Sequence, residues 1–149
     1  MRKARWLIAV LILCAGVALS QKASGDDAAD RAAFEAVCGS CHPVSMASDL
    51  RSESEWKETI EVMVKAGAKG TDEQFEAVRR YLRQNLTNVN VNTATAAEIA
   101  PVLAVSEATA RDIVKRRTEK GNFRTIDELK QIPGVDAVKL EARKDRIVF

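Results

Sequence analysis

The chain has 149 residues, 23 basic and 21 acidic side chains, a single histidine and a formal net charge of +2. A balance this close to neutral does not announce a nucleic-acid surface. The length allows two small domains behind a leader, each too small to build a generous core by itself.

Arg2, Lys3 and Arg5 form a basic start, Trp6 to Leu19 is apolar, and Ala18-Leu19-Ser20 is a small-x-small signal before Gln21. This pattern predicts a cleavable export peptide over residues 1–20. The apolar run is short for a membrane span, and an N-terminal anchor is the alternative. Cys14 follows Leu13, where a lipoprotein cysteine wants a small residue. Cleavage would leave Cys38 and Cys41 as the mature cysteines, in a periplasmic protein with no stable membrane span. Residues 21–87 then carry 9 basic and 12 acidic side chains, and residues 88–149 carry 11 and 9.

Residues 21–30 are polar and read as a flexible linker. Ala32, Ala33, Phe34, Val37, Cys38 and Cys41 recur at helical spacing, and Pro43 is expected to end that helix. Ser45 to Arg51 reads as a loop. Ser52-x-x-Glu55 is a capping box opening a helix with Trp56, Ile60, Met63 and Val64 on one face, stopped by Gly67 and Gly70. Thr71-x-x-Gln74 opens the next, with Phe75, Val78, Tyr81, Leu82 and Leu86 as its stripe. Asn85 to Asn92 is uncharged, rich in asparagine and reads as a domain boundary.

The second half repeats this grammar. Thr95-x-x-Glu98 precedes Ile99, Val102 and Leu103, and Ser106 caps a helix with Ala110, Ile113 and Val114. Gly121-Asn122 makes a turn, Thr125-x-x-Glu128 caps a short helix with Ile126 and Leu129, and Pro133-Gly134 turns again. Val138 and Leu140 are assigned to a last helix, and Ile147 to Phe149 to an apolar end packed on the bundle. No strand pattern stands out. The expected fold is all-α, with a haem domain over residues 31–87 and a second domain over residues 88–149.

Cys38-Gly39-Ser40-Cys41-His42 carries the chemistry. Two thiols three residues apart can each form a thioether to one vinyl group of haem, and the following histidine can ligate the iron. A redox dithiol does not need the histidine, and a zinc site would need a fourth ligand that the mature chain lacks. The expected cofactor is one covalent haem c held by Cys38 and Cys41, with His42 as proximal iron ligand. The second imidazole nitrogen then wants a carbonyl acceptor. No other histidine exists, so the distal ligand is expected to be a methionine, with an open distal site, or less readily Lys65 or Lys69, as the alternatives. Met46 is four residues from His42, too near to cross to the other face. Met63 has room to wrap the ring and is the assignment. A thioether ligand raises the potential and suits electron transfer.

Phe34-x-x-x-Cys38-x-x-Cys41-His42, Trp56…Met63-Val64-x-x-Gly67-Ala68 and Tyr81-Leu82 give residues 29–87 a resemblance to small class I cytochromes c. The middle string is similar to the haem domains accompanying periplasmic dehydrogenases, such as the cytochrome subunit of sulfite dehydrogenase. The resemblance implies Met63 as distal ligand and a crossing of the first and last helices at Phe34 and Tyr81.

Val89-Asn90-Val91-Asn92-Thr93-Ala94-Thr95-Ala96-Ala97-Glu98-Ile99, Gly121 to Leu129 and Ile132-Pro133-Gly134-Val135 resemble the helix-hairpin-helix domain of the competence protein ComEA. That family binds duplex DNA without sequence preference through G-x-G turns, whose backbone N–H groups meet phosphate oxygens. This chain departs from the pattern. It has Ala104-Val105-Ser106 in the first turn and Gly134-Val135-Asp136 in the second, so one glycine of four remains and one replacement is anionic. Ala104, Ser106, Lys115, Arg116, Arg117, Gly134 and Lys139, with Arg143 and Lys144, are the candidate phosphate or partner contacts.

With no spare histidine and no Ser-His-Asp set, an enzyme acting alone is not expected. The leading expectation is a periplasmic one-electron carrier serving a dehydrogenase or other redox partner, with the second domain docking it. The alternatives are a non-specific double-stranded DNA-binding protein carrying haem, and a haem sensor of a diatomic gas.

Overall fold

The computed structural model describes residues 23–149; the export-peptide reading of residues 1–20 lies outside them. Seven α-helices follow in order: α1 Ala23–Cys38, α2 Glu53–Lys65, α3 Asp72–Asn85, α4 Ala96–Leu103, α5 Glu107–Lys120, α6 Ile126–Lys130 and α7 Ala137–Glu141. The described residues are mainly helical, but the all-α expectation misses one pair of strands. Val89–Asn90 (β1) pairs in parallel with Ile147–Val148 (β2), in the register Val89 to Ile147. Strands of two residues are too short to show the period of two by which a strand is read.

The capping boxes form as the sequence predicts. Ser52, Thr71 and Thr95 each accept from the main-chain N–H three residues on, while Glu55, Gln74 and Glu98 reach back to the cap residue's own N–H. Gly67, at φ +105°, lies two residues past the end of α2.

Two readings of the first helix change. Residues 23–30, read as a flexible linker, are the first half of α1. Asp30 is buried, and both its carboxylate oxygens accept from Arg80 on α3, at 2.7 and 3.0 Å. The helix also ends at Cys38, before Pro43. Gly39 N–H still donates to Glu35 O at 3.0 Å, but a Cβ at residue 39 would stand 2.3 Å from that oxygen. Ser40 Oγ then donates to the Val37 carbonyl at 2.8 Å, closing the end.

The apolar side chains form two cores. Phe34, Val37, Trp56, Ile60, Val78 and Leu82 make the smaller, among α1, α2 and α3. The Phe34 and Tyr81 rings stack at 4.6 Å, where α1 and α3 cross, as the resemblance implied. The larger core lies within residues 89–147 and includes Val91, Ile99, Leu103, Ile113, Phe123, Leu129 and Leu140. Val138, assigned to the same helix as Leu140, is 79% exposed. Two residues apart on a helix, the two cannot share a face.

Candidate cofactor cavity and hairpin face

The chain leaves α1 at Cys38 and turns, bringing Cys38, Cys41 and His42 onto the wall of a cavity of about 400 Å³. Phe34, Trp56, Ile60, Phe75, Val78 and Leu82 supply apolar wall, and α2 adds Met63. The volume falls within the usual range of cofactor pockets. It also accounts for the smaller first core, because apolar side chains that would otherwise meet at the centre face a hollow instead.

Cys38 is half-buried, and burial pushes its thiol pKa up; Cys41 is exposed. His42 Nδ1 lies 3.3 Å from the Pro43 carbonyl. With the proton on Nδ1 donated there, Nε2 keeps its lone pair for a metal. Among the described residues, no group of three or more His, Cys, Asp or Glu side chains is placed to hold a metal ion. Two thiols, one imidazole and a thioether at an apolar wall fit a covalent haem. Met63 is 40% exposed and is no core residue; Met46, 68% exposed, borders the same cavity. Both thioethers therefore border the cavity, where only Met63 was expected. The cavity wall also includes Arg51, a cation whose guanidinium lies 5.4 Å from the Trp56 ring.

The second domain contains two hairpins, α4–α5 and α6–α7. Ala104 sits in the first turn at φ +53°, a left-handed backbone normally left to glycine. Ser106 Oγ caps α5 by accepting from Thr109 N–H at 3.0 Å and lies 2.9 Å from Thr109 Oγ1. In the second turn Gly134 has φ +84°, and a Cβ there would stand 2.6 Å from Thr109 Oγ1. The surviving glycine is thus required by the packing of one hairpin on the other. Asp136 accepts from the N–H groups of Val138 and Lys139 at 2.9 and 3.1 Å. Its carboxylate occupies the helix start that a phosphate would use.

Several predicted contact residues are engaged elsewhere. Arg117 donates to the Val91 carbonyl at 2.6 Å. Arg116 donates to Gly121 O at 2.9 Å, pairs with Glu128 at 3.3 Å and lies over the Phe123 ring. Arg143 donates to the carbonyls of Gln84 and Val102. Arg146, absent from the sequence-based candidates, is buried, and its pKa is pushed down to about 10 by that burial and by neighbouring Arg143. Arginines expected to contact phosphates or a partner are here hydrogen-bonded parts of the fold. Lys115, Lys139 and Lys144 remain exposed.

The hairpin pair defines the class of the second half. Residues 84–148 match the helix-hairpin-helix motif family and form a helix-hairpin-helix domain. A 62-residue stretch is 39% identical to an uncharacterized protein of Haemophilus influenzae, covering 41% of this chain and 55% of that one. Over 63 residues, 42% of the chain, it is 40% identical to the endonuclease/exonuclease/phosphatase family domain-containing protein 1 of Homo sapiens, 11% of whose length is covered. Over 57 residues it is 44% identical to the uncharacterized protein YdcI of Bacillus subtilis, covering 38% of this chain and 8% of that one. The chain thus spans about half of the first relative and about a tenth of the others. No solved structure matches. No helix among the described residues is long and apolar enough to cross a membrane.

Proposed function

We propose that this is an exported haem protein, not an enzyme in its own right, that exchanges single electrons with a redox partner such as a periplasmic dehydrogenase. The observation that carries the reading is the apolar cavity with Cys38, Cys41 and His42 on its wall and thioether side chains at its border. Bound there, a haem supplies a one-electron couple. Cys38 and Cys41 would anchor it, and His42 and Met63 would hold its iron. The apolar wall limits water and so favours the reduced, less charged state. The test is the visible spectrum of the denatured protein. Haem that stays with the chain supports the reading, and a chain that releases all its haem overturns it. A reduced protein that takes up carbon monoxide readily would instead favour the gas-sensing alternative.

For residues 84–148, the helix-hairpin-helix match and the endonuclease/exonuclease/phosphatase relatives favour duplex DNA over a protein as the ligand. With Asp136 at the second turn and Arg116, Arg117 and Arg143 engaged in the fold, the phosphate contacts fall to Lys115, Lys139 and Lys144. Binding of the haem-loaded chain to duplex DNA across a salt series tests this. Affinity that falls steeply with salt supports it, and no binding at low salt returns the domain to a docking role.

A further inference from the structure

The basic side chains of the second domain bind the end of α3 in the first. Arg146, 8% exposed, donates from Nε to Thr87 O at 2.7 Å, from Nη2 to Arg83 O at 2.7 Å, and from Nη1 to Gln84 O. Arg143 Nη1 adds Gln84 O at 3.2 Å while holding Val102 O of its own domain at 3.1 Å. The last carbonyls of a helix have no partner within it, and a cation there also meets the negative end of the helix dipole.

The residues that follow α3 are bonded to the cavity wall. Arg51 N–H donates to Leu86 O at 3.2 Å, Asn88 N–H donates to Arg51 O at 3.0 Å, and Trp56 Nε1 donates to Leu86 O at 2.8 Å. Arg51 and Trp56 both line the cavity. Residues 83–88, where the helix-hairpin-helix match begins, are therefore held from one side by the cavity wall and from the other by Arg143 and Arg146.

We propose that the end of α3 couples the two domains, so that occupancy of the cavity by a tetrapyrrole stabilises residues 89–148 and, reciprocally, a ligand of the second domain alters the redox site. The first half of this rests on the haem reading. A group filling the cavity adds contacts to Phe75, Val78 and Leu82 and holds α3 more firmly. Opening the end of α3 strips Arg146 of the Arg83 and Gln84 carbonyls and leaves a buried guanidinium short of acceptors, so the second domain is loosened with it. Reciprocity follows from linkage.

The test is amide hydrogen exchange in α4 and α5 of the full chain. Exchange should be at least about tenfold slower with haem attached than in the Cys38→Ala/Cys41→Ala chain, and Arg146→Met should abolish the difference. Equal exchange in the two forms, or a difference that survives Arg146→Met, overturns the coupling. The denatured-state spectrum reports attachment separately, so loss of the haem reading is recognised on its own. A haem-free arm keeps the coupling testable. Val78→Ala weakens α3 from the cavity side and should speed exchange in α4 and α5, while unchanged exchange there counts against the proposal.

Discussion

Gly134 lies against Thr109 so closely that one added carbon at residue 134 would stand 2.6 Å from the threonine hydroxyl. Gly134→Ala should therefore cost about 1–3 kcal/mol, from this clash together with the φ of +84°. Ala104 presents the opposite case. Its backbone already sits at φ +53° with a methyl group in place, so Ala104→Gly should stabilise by about 0.5–1 kcal/mol, the left-handed strain relieved less the entropy of glycine. Urea midpoints of the two variants, falling and rising respectively, check both.

Asp30 is 1% exposed and takes two hydrogen bonds from Arg80. Arg80→Ala should destabilise the first domain by about 1–3 kcal/mol, because a buried carboxylate loses its donors. Asp30→Asn should cost less, since the amide carries less charge to desolvate. Thermal unfolding that ranks the two the other way would contradict this placement of α1.

Much of the helical frame is legible in the chain. Three capping boxes are spelled out by Ser52 and Glu55, Thr71 and Gln74, and Thr95 and Glu98, because the motif is local and its partners are three residues apart. What escapes is non-local. The helix over residues 23–30 looks like a linker because its buried Asp30 is satisfied from fifty positions away. Arg143 and Arg146 look like solvated cations because their acceptors are main-chain carbonyls of another helix, which no side-chain pattern announces. In the cavity, Cys38, Cys41 and His42 are legible from spacing alone, whereas the presence of Met46 beside Met63 is a matter of how the loop after Pro43 folds.

If the cavity holds a covalent haem, Met63→Ala should leave it attached but lower the midpoint potential and admit carbon monoxide. Met46→Ala should change neither. Spectra and potentiometry that respond to Met46 and ignore Met63 would exchange the two assignments.

Acid should loosen α4. The hydrogen bonds that Glu98 accepts from the Thr95 N–H and hydroxyl hold its pKa below the usual carboxylate value. A depressed folded-state pKa contributes stability that is fully present above the unfolded value, near 4.5, and is lost as pH falls through the folded value. Thr95→Ala should flatten that part of the stability–pH curve while lowering stability at neutral pH by about 0.5–2 kcal/mol. Denaturant titrations at pH 3 and 7 separate the two effects.

If duplex DNA is the ligand, Lys139→Ala and Lys144→Ala should each reduce the salt slope of binding by about one and leave the melting temperature near that of the parent. Arg117→Ala should lower the melting temperature first, because its guanidinium holds the Val91 carbonyl. Equal losses of affinity with unchanged folding for all three would return Arg117 to the binding face.

The parallel pairing of Val89–Asn90 with Ile147–Val148 places the entrance and exit of the second domain side by side. A unit whose two ends meet can be spliced into a loop or appended to another chain without stretching its host. The host need offer only two adjacent attachment points. The same stretch of about sixty residues occupies half of one relative and less than a tenth of another. In this chain, Arg143 and Arg146 turn such a portable cassette into a fixture.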